Sequence, residues 1–350
     1  MSGDTIISAI IPLYNGKEYI SKAISSLSGV QHPIQIVIVD DGSLDDSLEF
    51  CEKKWGADNS VLILSKNNGG IASARNYGLE HSTGKYVLFL DQDDFVNASI
   101  IDNAIDRIEN EYTDLLFWSS ERTINGKNVP CDTVFTDLVL RGDDIRTGLL
   151  YDMLTNQHNK YISHIGRVWN GLYRREFLIN NKIKFRKIID IEDDYIFVFD
   201  CLRLARTVSL YPDVAYYWDY NPQSETYRIK YIDDYIGKYR EFYRYIFGGL
   251  SKIPNEVLEP FILYIKQDKT IKILENNCSI RSSINTLRET YALAKKNVDA
   301  FSEPELLTYT KRKKRVFILL KHKLVILAMG YVYADSIYRT MMKTVKTRRN

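Results

Sequence analysis

Cysteine is scarce in this chain, and its spacing excludes several chemistries. The 350 residues hold four, Cys51, Cys131, Cys201 and Cys278, with no C-x-x-C pair among them. Neither a disulfide framework nor a zinc site is expected, and a reduced, cytosolic chain is the simplest reading. The five histidines form no H-E-x-x-H. Long apolar runs are missing as well: no stretch reaches the roughly 18 uninterrupted apolar residues a membrane span needs. The opening MSGDTIISAIIPLYN lacks a basic n-region and a small-residue cleavage site, so no secretory signal is expected. No internal repeat or low-complexity tract occurs, and no G-x-G-x-x-G follows the first apolar run. That last absence disfavours a nicotinamide or flavin site.

What is present describes an ordinary globular protein, with 45% apolar and 26% charged residues. The length allows one large domain plus an addition. The formal charge of +2 hides an uneven distribution, because residues 311–350 carry twelve Lys/Arg against one acid, Asp335. The preceding 310 residues hold 35 bases and 44 acids. A mildly acidic body with a basic tail points to phosphate-bearing surfaces as partners of the tail.

Two periods alternate over the first 120 residues. Apolar, β-branched runs stand at Ile6–Pro12, Ile34–Val39, Val61–Leu64, Tyr86–Leu90 and Leu115–Trp118. Segments of helical spacing lie between and after them, at Glu18–Leu27, Asp45–Trp55, Ile71–Glu80 and Ala98–Glu109. Strands alternating with helices predict an α/β fold with a mostly parallel sheet covered on both faces. Ligands of such sheets sit outside the carboxyl ends of the strands. That rule singles out four loops: 13–16, 40–45, 66–70 and 91–95. Residues 120–225 mix short strands, loops and aromatics, and after Tyr227 the spacing is helical nearly to the end.

Three of these loops carry unusual chemistry. In IVIVDDGSLDDS, Ser43 or Asp45 serves as a helix N-cap, which leaves Asp40 and Asp41 as acceptors for a base N–H or a ribose hydroxyl. In SKNNGGIASARNYGL, Gly69 and Gly70 open a helix. Such a start suits a phosphate or a plain helix cap, and Arg75 one turn in adds a fork of donors. In VLFLDQDDF, a buried strand ends in Asp91, Asp93 and Asp94, which repel one another unless a cation sits among them. Hard divalent ions such as Mg²⁺ or Mn²⁺ take one or two such carboxylates together with substrate phosphates.

PLYN (Pro12–Asn15), VDDGS (Val39–Ser43), NNGG…ARN (Asn67–Asn76) and FLDQDD (Phe89–Asp94), in that order, resemble the family 2 glycosyltransferases with the GT-A fold. The resemblance implies a nucleotide-sugar site, with Pro12, Tyr14, Asp40, Asp41 and Arg75 around the base and ribose. Asn15, Asn68, Gly70 and Gln92 stand in the same motifs and join that set. Asp91 would approach the ribose, and Asp93, with Asp91 as a second candidate, would hold a Mn²⁺ or Mg²⁺ on the diphosphate.

The resemblance continues beyond residue 120. VWNGLYRREFL (Val168–Leu178) is similar to a W-N-x-L-Y-R segment that precedes the catalytic acid. IDIEDDYIFVF (Ile189–Phe199) is similar to the E-D-x-x-F helix start that supplies it. Aligned so, Glu192 precedes Asp193, the expected general base of an inverting transfer, and Asp194 is the alternative register. Trp169, Glu192, Trp218 and Tyr220 are expected around the acceptor and diphosphate. There AYYWDYNPQSET replaces a commoner Y-Y-Y-R-x-R-x-x-S, so an expected basic contact is missing.

Residues 1–225 are thus expected to form a GT-A domain, with 1–120 as the donor half and 121–225 as the acceptor half. Residues 226–350 are expected to form a helical extension ending in a basic tail from about 311. Lys321, His322 and Lys323 interrupt the tail's apolar run, so a helix lying in a membrane interface fits better than a span. Packing on the body, a dimer contact and nucleic-acid binding are the other readings of the tail, the last without a recognised motif. A seat on the inner face of the cell membrane implies a polyprenyl-diphosphate-linked saccharide acceptor. The donor expected is a UDP-hexose or UDP-N-acetylhexosamine. A sugar-phosphate nucleotidyltransferase and a non-catalytic membrane scaffold are the competing functions. The first lacks its Gly-rich loop after the first strand, and the intact D-x-D speaks against the second.

Overall fold

In the computed structural model, residues 5–124, 126–130, 135–155, 165–187, 193–219, 235–249, 262–263, 266–267, 270–278, 283–299 and 311–347 are described. The chain divides into two compact units, one of Met1–Met153 and His158–Tyr227, the other of Leu154–Gln157 and Arg228–Asn350.

The first unit is a twisted mixed sheet flanked by helices. Its strands are β1 (Ile7–Leu13), β2 (Ile34–Asp40), β3 (Val61–Ser65), β4 (Tyr86–Phe89), β5 (Phe95–Val96), β6 (Leu115–Ile124), β7 (Lys127–Pro130), β8 (Leu138–Arg141), β9 (Gly171–Arg174) and β10 (Thr207–Asp219). Their order is β3-β2-β1-β4-β9-β6-β10-β5, with β7 paired to β6 and β8 to β10. Strands β1 to β4 are mutually parallel, and β9 lies antiparallel to both β4 and β6. Strand β10 is parallel to β6. Inserting one reversed strand leaves β1, β2, β4, β6 and β10 all pointing their carboxyl ends to the same edge.

The helices are α1 (Ile20–Leu27), α2 (Ser47–Trp55), α3 (Ile71–His81), α4 (Ala98–Asn110), α5 (Tyr151–Thr155), α6 (Arg175–Asn180) and α7 (Asp193–Leu204). Helix α4 illustrates why they form. The Asn97 side chain accepts the Ile100 N–H as N-cap, and Ile101, Ala104, Ile105 and Ile108 make a buried stripe at helical spacing. Each buried isoleucine in that stripe contributes roughly 1.5–3 kcal/mol. Strands β1 and β4 are buried along their whole length, as continuous apolar runs covered on both faces require.

In the second unit the described helices are α8 (Tyr235–Gly249), α9 (Thr270–Asn277), α10 (Ile284–Asn297), α11 (Lys311–Lys321) and α12 (Val325–Thr347). Ile271 and Leu274 of α9, Ala294 of α10, Val316, Phe317 and Leu320 of α11, and Val325, Ala328 and Val332 of α12 share one core. Six described apolar residues of the tail, Val316, Phe317, Leu320, Val325, Ala328 and Val332, are therefore consumed in packing. Ile318, Leu324, Ile326 and Leu327 stay outside that core and are exposed. Among the described residues no helix is long and apolar enough to cross a membrane.

Candidate active site

The strand ends meet in a network of side-chain-to-backbone bonds. After β1 the chain exposes Tyr14, and its backbone is gripped by Gln92: the Tyr14 N–H donates to Gln92 Oε1 at 2.9 Å, and Gln92 Nε2 donates to the Tyr14 carbonyl at 3.2 Å. A side chain at Gly16 would put its Cβ 2.3 Å from that same Oε1 and push the Gln92 carboxamide off the Tyr14 backbone. Gln92, expected to bind the nucleotide sugar, instead ties the first loop to the fourth. Asn15, at φ +47°, ties the first loop to the second: its N–H donates to Ser43 Oγ at 3.0 Å, and its Oδ1 accepts the Leu44 N–H at 2.7 Å. Pro12 is buried within β1 opposite Val39, back from the open edge.

Asp40 ends β2 and accepts the Ser43 N–H at 3.3 Å and the Ser65 hydroxyl at 3.4 Å. Asp41 is also buried. It accepts from Lys66 Nζ at 2.6 Å and from the N–H groups of Gly69 at 3.0 Å and Gly70 at 2.7 Å. Gly70, at φ +85°, turns its N–H towards that carboxylate in a conformation costly for other residues. At the glycine-rich helix start, read as suiting a phosphate or a plain helix cap, the Gly69 and Gly70 N–H groups are taken by the chain's own Asp41. The sequence reading missed Lys66, although it directly precedes NNGG. Asn68 lies exposed at the loop tip, and Lys187 Nζ is 3.7 Å from where a Gly70 Cβ would stand.

The A-R-N of α3 joins the donor loops to the segment around the expected base. Asn76 holds the Phe185 backbone from both sides, donating to its carbonyl and accepting its N–H at 2.9 Å each. Phe185 stacks on Phe197 of α7 with ring centroids 4.2 Å apart, and both meet Phe89 of β4 edge-on. This aromatic cluster seats the start of α7 beside the end of β4. Arg75 then spans the gap, donating to Asp91 Oδ1 at 2.7 Å and to Asp194 Oδ1. Its side chain is 3% exposed, against 24% for Asp91 and 28% for Asp194. Burial works against its charge, but Asp194 and Asp91 more than offset this and hold its pKa above the ordinary value. Arg75 was expected around base and ribose; here it bridges two motifs.

Burial raises the Asp194 carboxyl above the usual carboxylate range, Arg75 pulling it down, Asp91 adding to the rise, and the Val168 backbone hydrogen bond pulling it down. Asp193, its neighbour, is 7% exposed. Asp94 is buried and holds β10 in place, accepting from the Tyr216 hydroxyl at 2.6 Å and from the Asp219 N–H at 2.9 Å. Burial, then the charges of Asp91 and Asp93, push its carboxyl well above the usual range. The same Tyr216 hydroxyl accepts the Asp91 N–H at 3.2 Å. Asp93 is half-buried among these acids.

Trp169 departs from its expected place at the acceptor. It is 6% exposed in the core of the sheet, stacked on Tyr216 at 4.4 Å between centroids. Trp218 is half-buried at the end of β10, with the Arg122 guanidinium 4.6 Å and the Arg167 guanidinium 5.5 Å from its ring centre. The structure thus brings two arginines to the loop where the sequence lacks its basic contact. They come from distant segments, so no local pattern announces them. Glu192 and Tyr220 lie outside the described residues.

A mixed sheet whose main strands run parallel, and whose carboxyl edge gathers conjoined acidic loops, has the architecture of the GT-A fold. The model of glycosyl transferase family 2 matches residues 8–179. An uncharacterized glycosyltransferase of Haemophilus influenzae is 32% identical over 217 residues, 60% of this chain and 77% of the relative. The chain belongs to glycosyltransferase family 2. TarS of Staphylococcus aureus, a poly(ribitol-phosphate) beta-N-acetylglucosaminyltransferase, is 28% identical over 215 residues, 60% of this chain but 35% of TarS. The chain thus matches about a third of that longer relative. The crystal structure of TarS 1–349 with UDP-GlcNAc is similar at a TM-score of 0.66 and 20% identity, covering 96% of this chain and 92% of that one. At that identity the likeness speaks for the fold, helical C-terminal region included.

Proposed function

We propose that this protein is an inverting glycosyltransferase that moves a sugar from a nucleotide-sugar donor, a UDP-hexose or UDP-N-acetylhexosamine, to a hydroxyl acceptor. The observation that carries the reading is the Arg75 bridge, which joins the D-x-D end of β4 to the acidic start of α7 across the carboxyl edge of the sheet. Exposed Tyr14 offers a ring to the nucleobase. The UDP-GlcNAc complex of TarS supports the choice of nucleotide.

The carboxyl edge fits a divalent ion of the Mg²⁺ or Mn²⁺ kind. Among the described residues no three His, Cys, Asp or Glu side chains surround an ion, so the protein alone would not complete its shell. Asp93 stands in an acidic group tight enough to raise Asp94, and one carboxylate plus diphosphate oxygens meets the needs of a hard cation. Asp93 would hold the ion, with Asp91 close by and already turned to Arg75. When bound, it would neutralise charge on the departing diphosphate.

The general base is assigned to Asp194 in preference to Asp193. Asp194 is the more exposed of the two, reaches the donor loops through Arg75, and is oriented by a backbone hydrogen bond from Val168. Asp193 is nearly covered. As the acceptor oxygen attacks the anomeric carbon, Asp194 takes its proton. The bond from that carbon to the diphosphate oxygen breaks, and its electron pair leaves with the nucleotide. A carboxyl raised above its ordinary value is a better proton acceptor near neutrality.

The acceptor is read as a lipid-linked saccharide destined for a surface polysaccharide, met at a membrane. Exposed Ile326 and Leu327 beside Lys321 and Lys323 at the α11–α12 turn support that seat. A hydrolysis screen of nucleotide sugars with Mn²⁺ and with chelator tests the donor, reading which nucleoside diphosphate is released. Release from UDP-sugars alone, stopped by chelator, is expected; release of another nucleotide rejects the donor assignment. Asp194→Asn should abolish transfer and leave UDP binding intact. Normal turnover in it, with loss in Asp193→Asn, returns the base to Asp193.

A further inference from the structure

The turn that follows β4 is tied at both ends to a single hydroxyl. Residues 91–94 close this turn, in which the Asp94 N–H donates to the Asp91 carbonyl at 3.1 Å. The Asp91 N–H donates to the Tyr216 hydroxyl at 3.2 Å, and that hydroxyl donates to Asp94 Oδ2 at 2.6 Å. Tyr216 belongs to β10 and stands opposite Val96 of β5, two residues beyond the turn. Its ring is fully buried and stacked on Trp169 at 4.4 Å between centroids, so close packing fixes the oxygen at its tip. Asp94 carries the hold onward, because its Oδ1 accepts the Asp219 N–H at 2.9 Å. The other anchors of the turn come from different elements. Arg75 of α3 holds the Asp91 carboxylate, and Gln92 grips the Tyr14 backbone after β1. Asp93 stands between these fixed neighbours.

We propose that Tyr216 is a positioning residue for the divalent-ion site, acting through the turn that carries Asp93. The proposal rests on the reading of Asp93 as the ion's ligand. A hard cation gains most from a carboxylate whose backbone is already ordered, since otherwise ordering the turn offsets part of the binding. Groups that hold a ligand in place typically decide about 10–100-fold in metal affinity. A phenol suits this task because it accepts from one end of the turn and donates to the other. An ionised carboxylate can only accept, and an ammonium can only donate. Loss of that one oxygen takes the acceptor from the Asp91 N–H and the donor from Asp94 Oδ2. The Arg75, Gln92 and Asp219 contacts remain, so the turn persists but loosens, and Asp93 becomes a weaker ligand.

Tyr216→Phe removes the oxygen and keeps the ring in its stack. UDP is titrated calorimetrically into the full-length protein over a range of Mn²⁺ concentrations, and bound Mn²⁺ is read in parallel by electron paramagnetic resonance. In Tyr216→Phe the Mn²⁺ concentration that gives half of the maximal UDP binding should rise about tenfold or more, while UDP affinity at saturating Mn²⁺ should stay within about twofold of wild type. Ile105→Val trims the buried stripe of α4 and serves as a control for general destabilisation. It should lower Tm and leave the Mn²⁺ requirement where it was. An unchanged Mn²⁺ requirement in Tyr216→Phe overturns the proposal. An equal rise in Ile105→Val also overturns it, because the effect is then a general loosening. A loss of UDP affinity in Tyr216→Phe that saturating Mn²⁺ does not restore has the same consequence. Wild-type protein that binds no UDP, or binds it without regard to Mn²⁺, strikes the donor and ion readings themselves, and the proposal falls with them.

Discussion

Replacing Arg75 by Met probes the joint on which the site is built. The side chain is 3% exposed and ion-pairs with Asp91 at 2.7 Å and with Asp194. Methionine roughly preserves the buried stem and removes only the charge, leaving two carboxylates facing each other across the gap. Breaking a buried pair by removing one partner costs about 3–5 kcal/mol. Asp91 and Asp194 are a quarter exposed, and water there can take up part of the loss, so the low end, about 3 kcal/mol, is expected. For a unit of this size that is a fall of roughly 6–12 °C in Tm. Differential scanning calorimetry at pH 7 reads it. Adding Asp194→Asn to the Met variant should recover about 1 kcal/mol or more, because one of the stranded charges is gone. A Tm within about 2 °C of wild type would mean that the carboxylates do not depend on Arg75, and the bridge would lose its meaning.

Two further outcomes follow from the same structure. Burial, with the Asp40 charge adding to it, pushes the Cys51 thiol up to about 11, and burial takes Cys278 to about 12. At pH 8 only roughly one Cys51 in a thousand is thiolate, so both should resist Ellman's reagent in the native state and react on unfolding. Rapid native labelling of Cys51 by mass spectrometry would contradict the buried placement. At the α11–α12 turn, Ile326→Ser with Leu327→Ser should cut sedimentation with anionic vesicles by about tenfold, while Lys321→Glu should weaken it and make what remains less sensitive to salt. These point changes are preferable to removing residues 311–350, which would strip Val316, Phe317 and Leu320 from the core they help build. Equal sedimentation of all variants and wild type removes the membrane reading.

Much of the donor half was legible because its periodicities are strong. The runs Ile6–Pro12, Ile34–Val39, Val61–Leu64 and Tyr86–Leu90 became β1 to β4 almost residue for residue, since strands inside a covered sheet are dominated by apolar, β-branched residues. The loops at their carboxyl ends were legible for the same reason: polar residues abruptly replace apolar ones. Partner choice was not legible. Nothing in NNGG says that Asp41, 28 residues earlier, will take its N–H groups, nor that Gln92 will face the Tyr14 backbone across 78 positions. Strand β9, four residues long, carries too short a pattern to announce that it reverses the sheet. In the tail, the charges Lys321, His322 and Lys323 that interrupt its apolar run mark the turn between α11 and α12, which the sequence pattern alone did not place.

The central claim is that the acids after β4 hold a divalent ion against the diphosphate of a sugar donor. Calorimetric titration of UDP into wild type and Asp93→Asn, each with Mn²⁺ and with chelator, tests it most directly. Binding that depends on Mn²⁺ in the wild type and loses that dependence in Asp93→Asn is the result this account predicts. UDP bound equally well in all four conditions would contradict it.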